Sequence, residues 1–299
     1  MSGAVRGMLL SLNFTLMPTF ANTQLAPIAL SLFAMTMWGF SDFLGGFASR
    51  RTNAFLVTTI AHFSGTIFMI TLALAWHAPL PTRSQILWSM AAGFFGGSAL
   101  AIFYRALAMG QMGLTAPVSA LLGAAIPTVA GFFSEGLPNF ITIVGFGLAA
   151  IAIWLISRSE DGAGRPAGLG LALLSGIGFA GFFLCVKQAG DASPIWIAGF
   201  ARIASFITTS AIVVGARQWQ PFARAGLAFG LLAGMLDSSG SALFAKASQT
   251  GRLDTAVVLS SLYPAITVLL ARLILREHFS RWKVVGLAAA LVAVPMIAM

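Results

Sequence analysis

Apolar residues in this chain arrive in runs of about 20, and a run of that length has few folded destinations. As a helix it spans the ~30 Å hydrocarbon core of a bilayer, whereas on a soluble domain it leaves no polar face for water. Ten such segments follow one another, at approximately 27–47, 54–76, 86–108, 112–133, 138–157, 167–188, 194–215, 224–247, 252–274 and 282–299. They are too long for strands and lack polar/apolar alternation. Only 8% of the residues are charged, against about 25% in a soluble domain, so charge cannot cover a water-facing surface. The predicted fold class is an all-α, multi-pass membrane protein with ten transmembrane helices.

The formal net charge of +9 raises the question of nucleic acid. Lys and Arg sit mainly between the apolar runs rather than along one polar face, which is a membrane-topology signal, and no nucleic-acid partner is expected. With the N-terminus outside, the inside loops collect Arg50, Arg51, Arg158, Arg165, Arg217, Arg224, Arg276, Arg281 and Lys283. That bias favours both termini outside. Cys185, the single cysteine, lies within an apolar run and reads as packing. It cannot form an internal disulfide, and no His cluster accompanies it, so neither a metal site nor a cofactor is expected.

Residues 1–25 differ from the rest. Arg6 precedes a broken apolar stretch interrupted by Ser11, Asn13 and Pro18. A signal peptide and an upstream extension fit about equally, and the segment is expected to lie outside the core fold. The polar stretch RSEDGAGRPAG, near 158–168, divides the ten segments into five and five. The chain then reads as a first five-helix repeat at 26–157, a linker at 158–166 and a second repeat at 167–299. An offset of 141 places Gly93 over Gly234, Ala101 over Ala242, Phe103 over Phe244, Arg105 over Lys246 and Gly145 over Gly286, while an offset of 142 places Glu135 over Glu277. An odd number of helices per repeat turns the second half upside down, giving two inverted repeats around a central cavity.

The segment SSLYPAITVLLARLILREHFSRWKVVGLAAALVAV at 260–294 resembles the end of an EamA-type repeat of the drug/metabolite transporter superfamily, with Pro264, Glu277 and Gly286 at the marking positions. Trp38-Gly39 in MWGFSDFLGGFASRR matches the family's opening. YRALAMGQMG at 104–113 and FAKASQTGRLDTA at 244–256 match its junction between third and fourth helices. The resemblance covers 27–299. One departure is Leu122, which stands where Pro264 would repeat, with Pro117 and Pro127 nearby instead. The resemblance implies a basket of ten helices and alternating access by rocking of the halves, without implying one substrate.

Charge inside a bilayer is costly, so charged residues within the runs are the best pointers to a site. Asp237 reads as a proton-titrating carboxylate or an amine ligand, or else as the buried partner of Arg202 or of Ser238, Ser239 and Ser241. Arg202 suits a carboxylate or phosphate, or pairs with Asp237. His62 stands one residue from the repeat position of Arg202 and reads as a titrating group or a hydrogen-bonded core histidine. Asp42 lies one turn beyond Trp38 on the same face, which lines a cavity or makes a contact near the membrane edge. Tyr263, Pro264, Pro117 and Pro127 are candidates for hinges or cavity lining. Arg105 and Lys246 read as snorkelling side chains, and Glu135 and Glu277 as loop or gate residues.

Together these point to a secondary transporter of a small metabolite such as an amino acid, working as a monomer or homodimer in a bacterial inner membrane. Export and proton coupling are the expected mode. No GxxxxGK[ST] is present to power it with ATP. HExxH and GxSxG are also missing, which weighs against an intramembrane enzyme. A non-transporting membrane subunit is the remaining alternative.

Overall fold

The computed structural model describes residues 19–49, 52–108, 112–157, 169–218, 224–275 and 281–298. The linker at 158–166 and Glu277 lie outside the described residues, as does the side chain of Pro117. The described residues are all-helical apart from short connections. In chain order the helices are α1 (Thr19–Ser49), α2 (Ala54–Ala75), α3 (Arg83–Ala108), α4 (Met112–Glu135), α5 (Phe140–Ser157), α6 (Leu169–Gln188), α7 (Pro194–Gly215), α8 (Arg224–Thr250), α9 (Leu253–Ser260), α10 (Tyr263–Leu275) and α11 (Arg281–Ala298). The first helix starts at Thr19, upstream of the apolar run that begins near residue 27.

Among the described residues, seven stretches are long and apolar enough to cross a membrane: six lie within α1, α2, α3, α6, α7 and α8, and one runs through α9 and α10. Shorter apolar helices occupy Ser119–Glu135, Phe140–Leu155 and Val284–Ile297. Large apolar side chains point outward along these helices, Phe133 being 89% exposed and Leu291 70%. Such faces suit lipid, in which every backbone group must find its partner within the helix or its neighbours.

Packing interleaves the two ends of the sequence. Helix α1 lies along α8, α3 along α6 and α7, α2 along α7 and α8, α4 along α6, and α5 along α11. Two of these crossings bring backbone against backbone. A methyl group built on Gly93 of α3 would strike the Ala201 carbonyl of α7, and one on Gly234 of α8 would strike the Ala61 carbonyl of α2. Close approach of this kind is how membrane helices associate when water does not drive them together.

Helices α2 and α7 have matching lengths and C-terminal ends. Both contain 22 residues. Asn53 caps α2 by accepting the Phe55 N–H at 2.9 Å, while α7 opens with Pro194 at its first turn, where no intrahelical N–H is needed. Each ends in a Schellman motif. The Ala78 and His77 N–H groups donate to the carbonyls of Ala73 and Leu74, and those of Gln218 and Arg217 donate to Val213 and Val214. His77 at φ 49° and Arg217 at φ 50° take the left-handed residue that closes each motif.

The α9–α10 interruption has a chemical cause. Pro264 has no N–H for the Ser260 carbonyl, and its ring excludes a regular turn there. Helix α9 therefore ends at Ser260, Ser261 and Leu262 turn, and Pro264 fits the first turn of α10. Helix α4, in contrast, continues through both Pro117 and Pro127.

Candidate functional site

Six helices, α4 among them through Ser119, Ala120 and Gly123, and the α9–α10 break surround a cavity of about 60 Å³. Helix α1 contributes Trp38 and Asp42, α7 Arg202, and α8 Asp237 and Ser241. Ser261 and Tyr263 face it from the break, Gly96 and Leu100 from α3, and Phe179, Phe182 and Phe183 from α6. Non-helical backbone at this depth is tolerated where it lines a cavity, which is where Ser261 lies.

Arg202 is buried and its guanidinium is shared. Nη1 donates to the Asp237 carboxylate and lies 3.1 Å from His62 Nδ1. Nη2 donates to Ser241 Oγ at 2.7 Å. Guanidinium only donates, so His62 Nδ1 is the acceptor and carries no hydrogen. His62 Nε2 and Arg202 Nε are buried and have no hydrogen-bond partner among the described residues. The Asp237 backbone carbonyl accepts from both Ser241 Oγ at 3.0 Å and Trp38 Nε1 at 3.2 Å, which ties α1 to α8 at the cavity wall. Asp42 accepts from the Tyr104 hydroxyl and lies within electrostatic reach of Asp237.

The sequence candidates Trp38, Asp42, Arg202, Asp237 and Tyr263 thus face one cavity, and His62 stands directly behind Arg202. Pro264 opens α10 next to Tyr263. Pro127 is buried in α4, one turn beyond the lining residue Gly123. Arg105 is exposed, with its guanidinium carbon 5.9 Å from the Phe55 ring centre, and Lys246 is exposed.

Three of the lining rings, Trp38, Phe182 and Phe183, pack with Phe244 into a layer. Phe183 and Phe244 approach to 4.8 Å between centroids, Phe182 and Phe183 to 5.5 Å, and Trp38 and Phe244 to 5.8 Å. One turn further along α6 and α8, charges join the helix ends. Lys187 Nζ is 2.7 Å from Glu135 Oε1 and donates to the Ser248 carbonyl at 3.0 Å. Glu135 Oε2 accepts the Leu253 N–H at 2.8 Å. Arg252 grips the buried Asp254 at 2.7 Å and donates to the Glu135 carbonyl at 3.1 Å. Hydrogen bonding to Asp254 raises the Arg252 guanidinium further above its ordinary value, so it remains charged. Rings and ion pairs gather on the side of the cavity where α4, α6 and α8 end.

Sequence reasoning missed Tyr104 and Asp254. Tyr104 reads as one more ring in an apolar run, and its tie to Asp42 is a tertiary contact. Asp254 had a local signal, an acid two residues after Arg252 at the start of an apolar run. Among the described residues no three His, Cys, Asp or Glu side chains gather as a metal-binding group.

Residues 166–299 match the model of the EamA-like transporter family. That match agrees with the resemblance read at 260–294. No curated protein matches the sequence. A crystal structure, described only as that of a protein, shares the fold with a TM-score of 0.75 and 15% identity, over 91% of this chain and 98% of that one. The chain is a multi-pass membrane protein whose residues 166–299, which include α6 through α11, match the EamA-like transporter family model.

Proposed function

We propose that the chain is a secondary transporter that carries a small polar metabolite of amino-acid size through the central cavity by alternating access. The observation that carries this reading is the cavity itself. It lies at a helix break and is lined by α1, α3 and α4 from the first half and by α6, α7, α8 and α10 from the second.

The pairing of elements supports two inverted halves that together cross the membrane ten times, the shorter apolar helices supplying the remaining crossings. The α1–α8 contact has its counterpart in α6–α3, α3–α7 in α8–α2, and α4–α6 in the contacts of α9 and α10 with α1. Gly93 against Ala201 and Gly234 against Ala61 is the same crossing made twice. The left-handed closures that end α2 and α7 repeat at an offset of 140. A binding site at a broken helix between inverted repeats suits rocking of one half against the other.

Export from a bacterial cytoplasm, with coupling to protons through the Asp42 and Asp237 carboxylates, is the mode this reading favours. Flux into or out of proteoliposomes across a panel of small metabolites tests it. Saturable flux of at least one compound is expected, and absence of flux for the whole panel with folded protein would count against it.

A further inference from the structure

The charges around the cavity do not balance, and the imbalance identifies the cargo. Arg202 is the cation of the lining, and it is already committed: Asp237 and His62 take one nitrogen and Ser241 the other. Its positive charge is matched by Asp237. Asp42 faces the same cavity with a hydroxyl from Tyr104 as its partner, and no cation among the described residues lies against it. With Asp42 ionised, the lining therefore carries one net negative charge.

Aromatic rings share the cavity with that carboxylate. Trp38 is one turn away on α1, Tyr263 stands across the break, and Phe179, Phe182 and Phe183 face inward from α6. Ring faces attract cations, most strongly where water is excluded. An anion would meet Asp42 and Asp237 with no free counter-charge. A zwitterion would bring a carboxylate toward them as well.

We infer that the cavity binds a small organic monocation, an alkyl ammonium group held by Asp42 among aromatic rings, and that Arg202 acts as a positioning residue locked to Asp237 rather than as a substrate anchor. This inference rests on the transporter reading and narrows its cargo. The cavity, about 60 Å³, suits a compact cargo in this conformation.

Isobutylamine, valine and isobutyrate are compact probes that bear a cation, a zwitterion and an anion. Titration calorimetry of the purified full chain in detergent compares them without requiring flux. Isobutylamine is expected to bind at least about tenfold more tightly than valine, with isobutyrate weaker still, because an unpaired charge in a desolvated site is costly. Asp42→Asn keeps the shape and an acceptor for Tyr104, and is expected to lose about tenfold or more of the amine affinity. If that variant does not fold, Tyr104→Phe keeps the carboxylate and is expected to keep the order of the three probes. Tighter binding of valine or isobutyrate than of the amine would overturn the assignment, as would unchanged amine affinity in folded Asp42→Asn. Amine binding with no flux in proteoliposomes would uphold the site while removing the transport reading. Flux of anions without amine binding would remove the site and leave transport standing.

Discussion

Gly93 meets Ala201 backbone to backbone, so that even a methyl group on the glycine would collide with the Ala201 carbonyl. A collision with backbone cannot be relieved by a rotamer change; the helices must part. Gly93→Ala and Gly234→Ala are each expected to destabilise by about 1–3 kcal/mol, the usual cost of overpacking. Gly147 faces open space, and Gly147→Ala is expected to be neutral or stabilising by up to about 1 kcal/mol. Unfolding in mixed micelles measures all three, and an equal response at Gly93 and Gly147 would contradict the close crossing.

The Arg202–Asp237 pair is buried, with side chains 6% and 14% exposed, so breaking it strands a charge. Arg202→Met or Asp237→Asn alone is expected to cost about 3–5 kcal/mol. The double variant is expected to cost less than the sum, by a coupling of about 1–3 kcal/mol. Strict additivity in the cycle would show that the two charges do not support each other.

Trp38 ties α1 to α8 through one hydrogen bond and fills the ring layer beside Phe182, Phe183 and Phe244. Trp38→Phe keeps a ring and removes the donor, at an expected cost of about 1 kcal/mol. Trp38→Ala removes the ring as well, at about 3–5 kcal/mol. Equal costs in an unfolding titration would assign the tie to the hydrogen bond alone.

Much of this was legible in the sequence because bilayer thickness sets the length of an apolar run. The run at 194–215 coincides with α7, and Pro264 announced the interruption that became the α9–α10 break. Arg202, Asp237, His62 and Asp42 stood out because charge and imidazole are expensive among lipid-soluble neighbours. That Arg202 would spend both terminal nitrogens inside the protein was not legible, since Ser241 lies on another helix. Nor was the Glu135–Lys187 closure, which joins residues distant in sequence through helix packing alone. The pairing of Tyr104 with Asp42 was hidden for the same reason.

Glu135 and Lys187 are partly exposed, with side chains 19% and 35% accessible, so their pair adds little to stability. Lys187→Met is expected to change the unfolding free energy by less than about 1 kcal/mol. Its effect is expected on flux instead, because under the proposed alternating access a weaker pair here would shift the balance between conformations. Wild-type flux is expected to vary with ionic strength, and the variant's flux is expected to lose much of that dependence, because salt screens an exposed pair. Identical salt profiles would show that the pair does not hold the closure.

The central claim is that this side must open for cargo to cross. The direct measurement is flux in proteoliposomes containing a Cys185→Ala background with Glu135→Cys and Lys187→Cys, before and after a short thiol-specific crosslinker, and again after reduction. Crosslinking is expected to stop flux and reduction to restore it, while each single-cysteine control continues. Undiminished flux through the fully crosslinked protein would contradict alternating access across the α4–α6 closure.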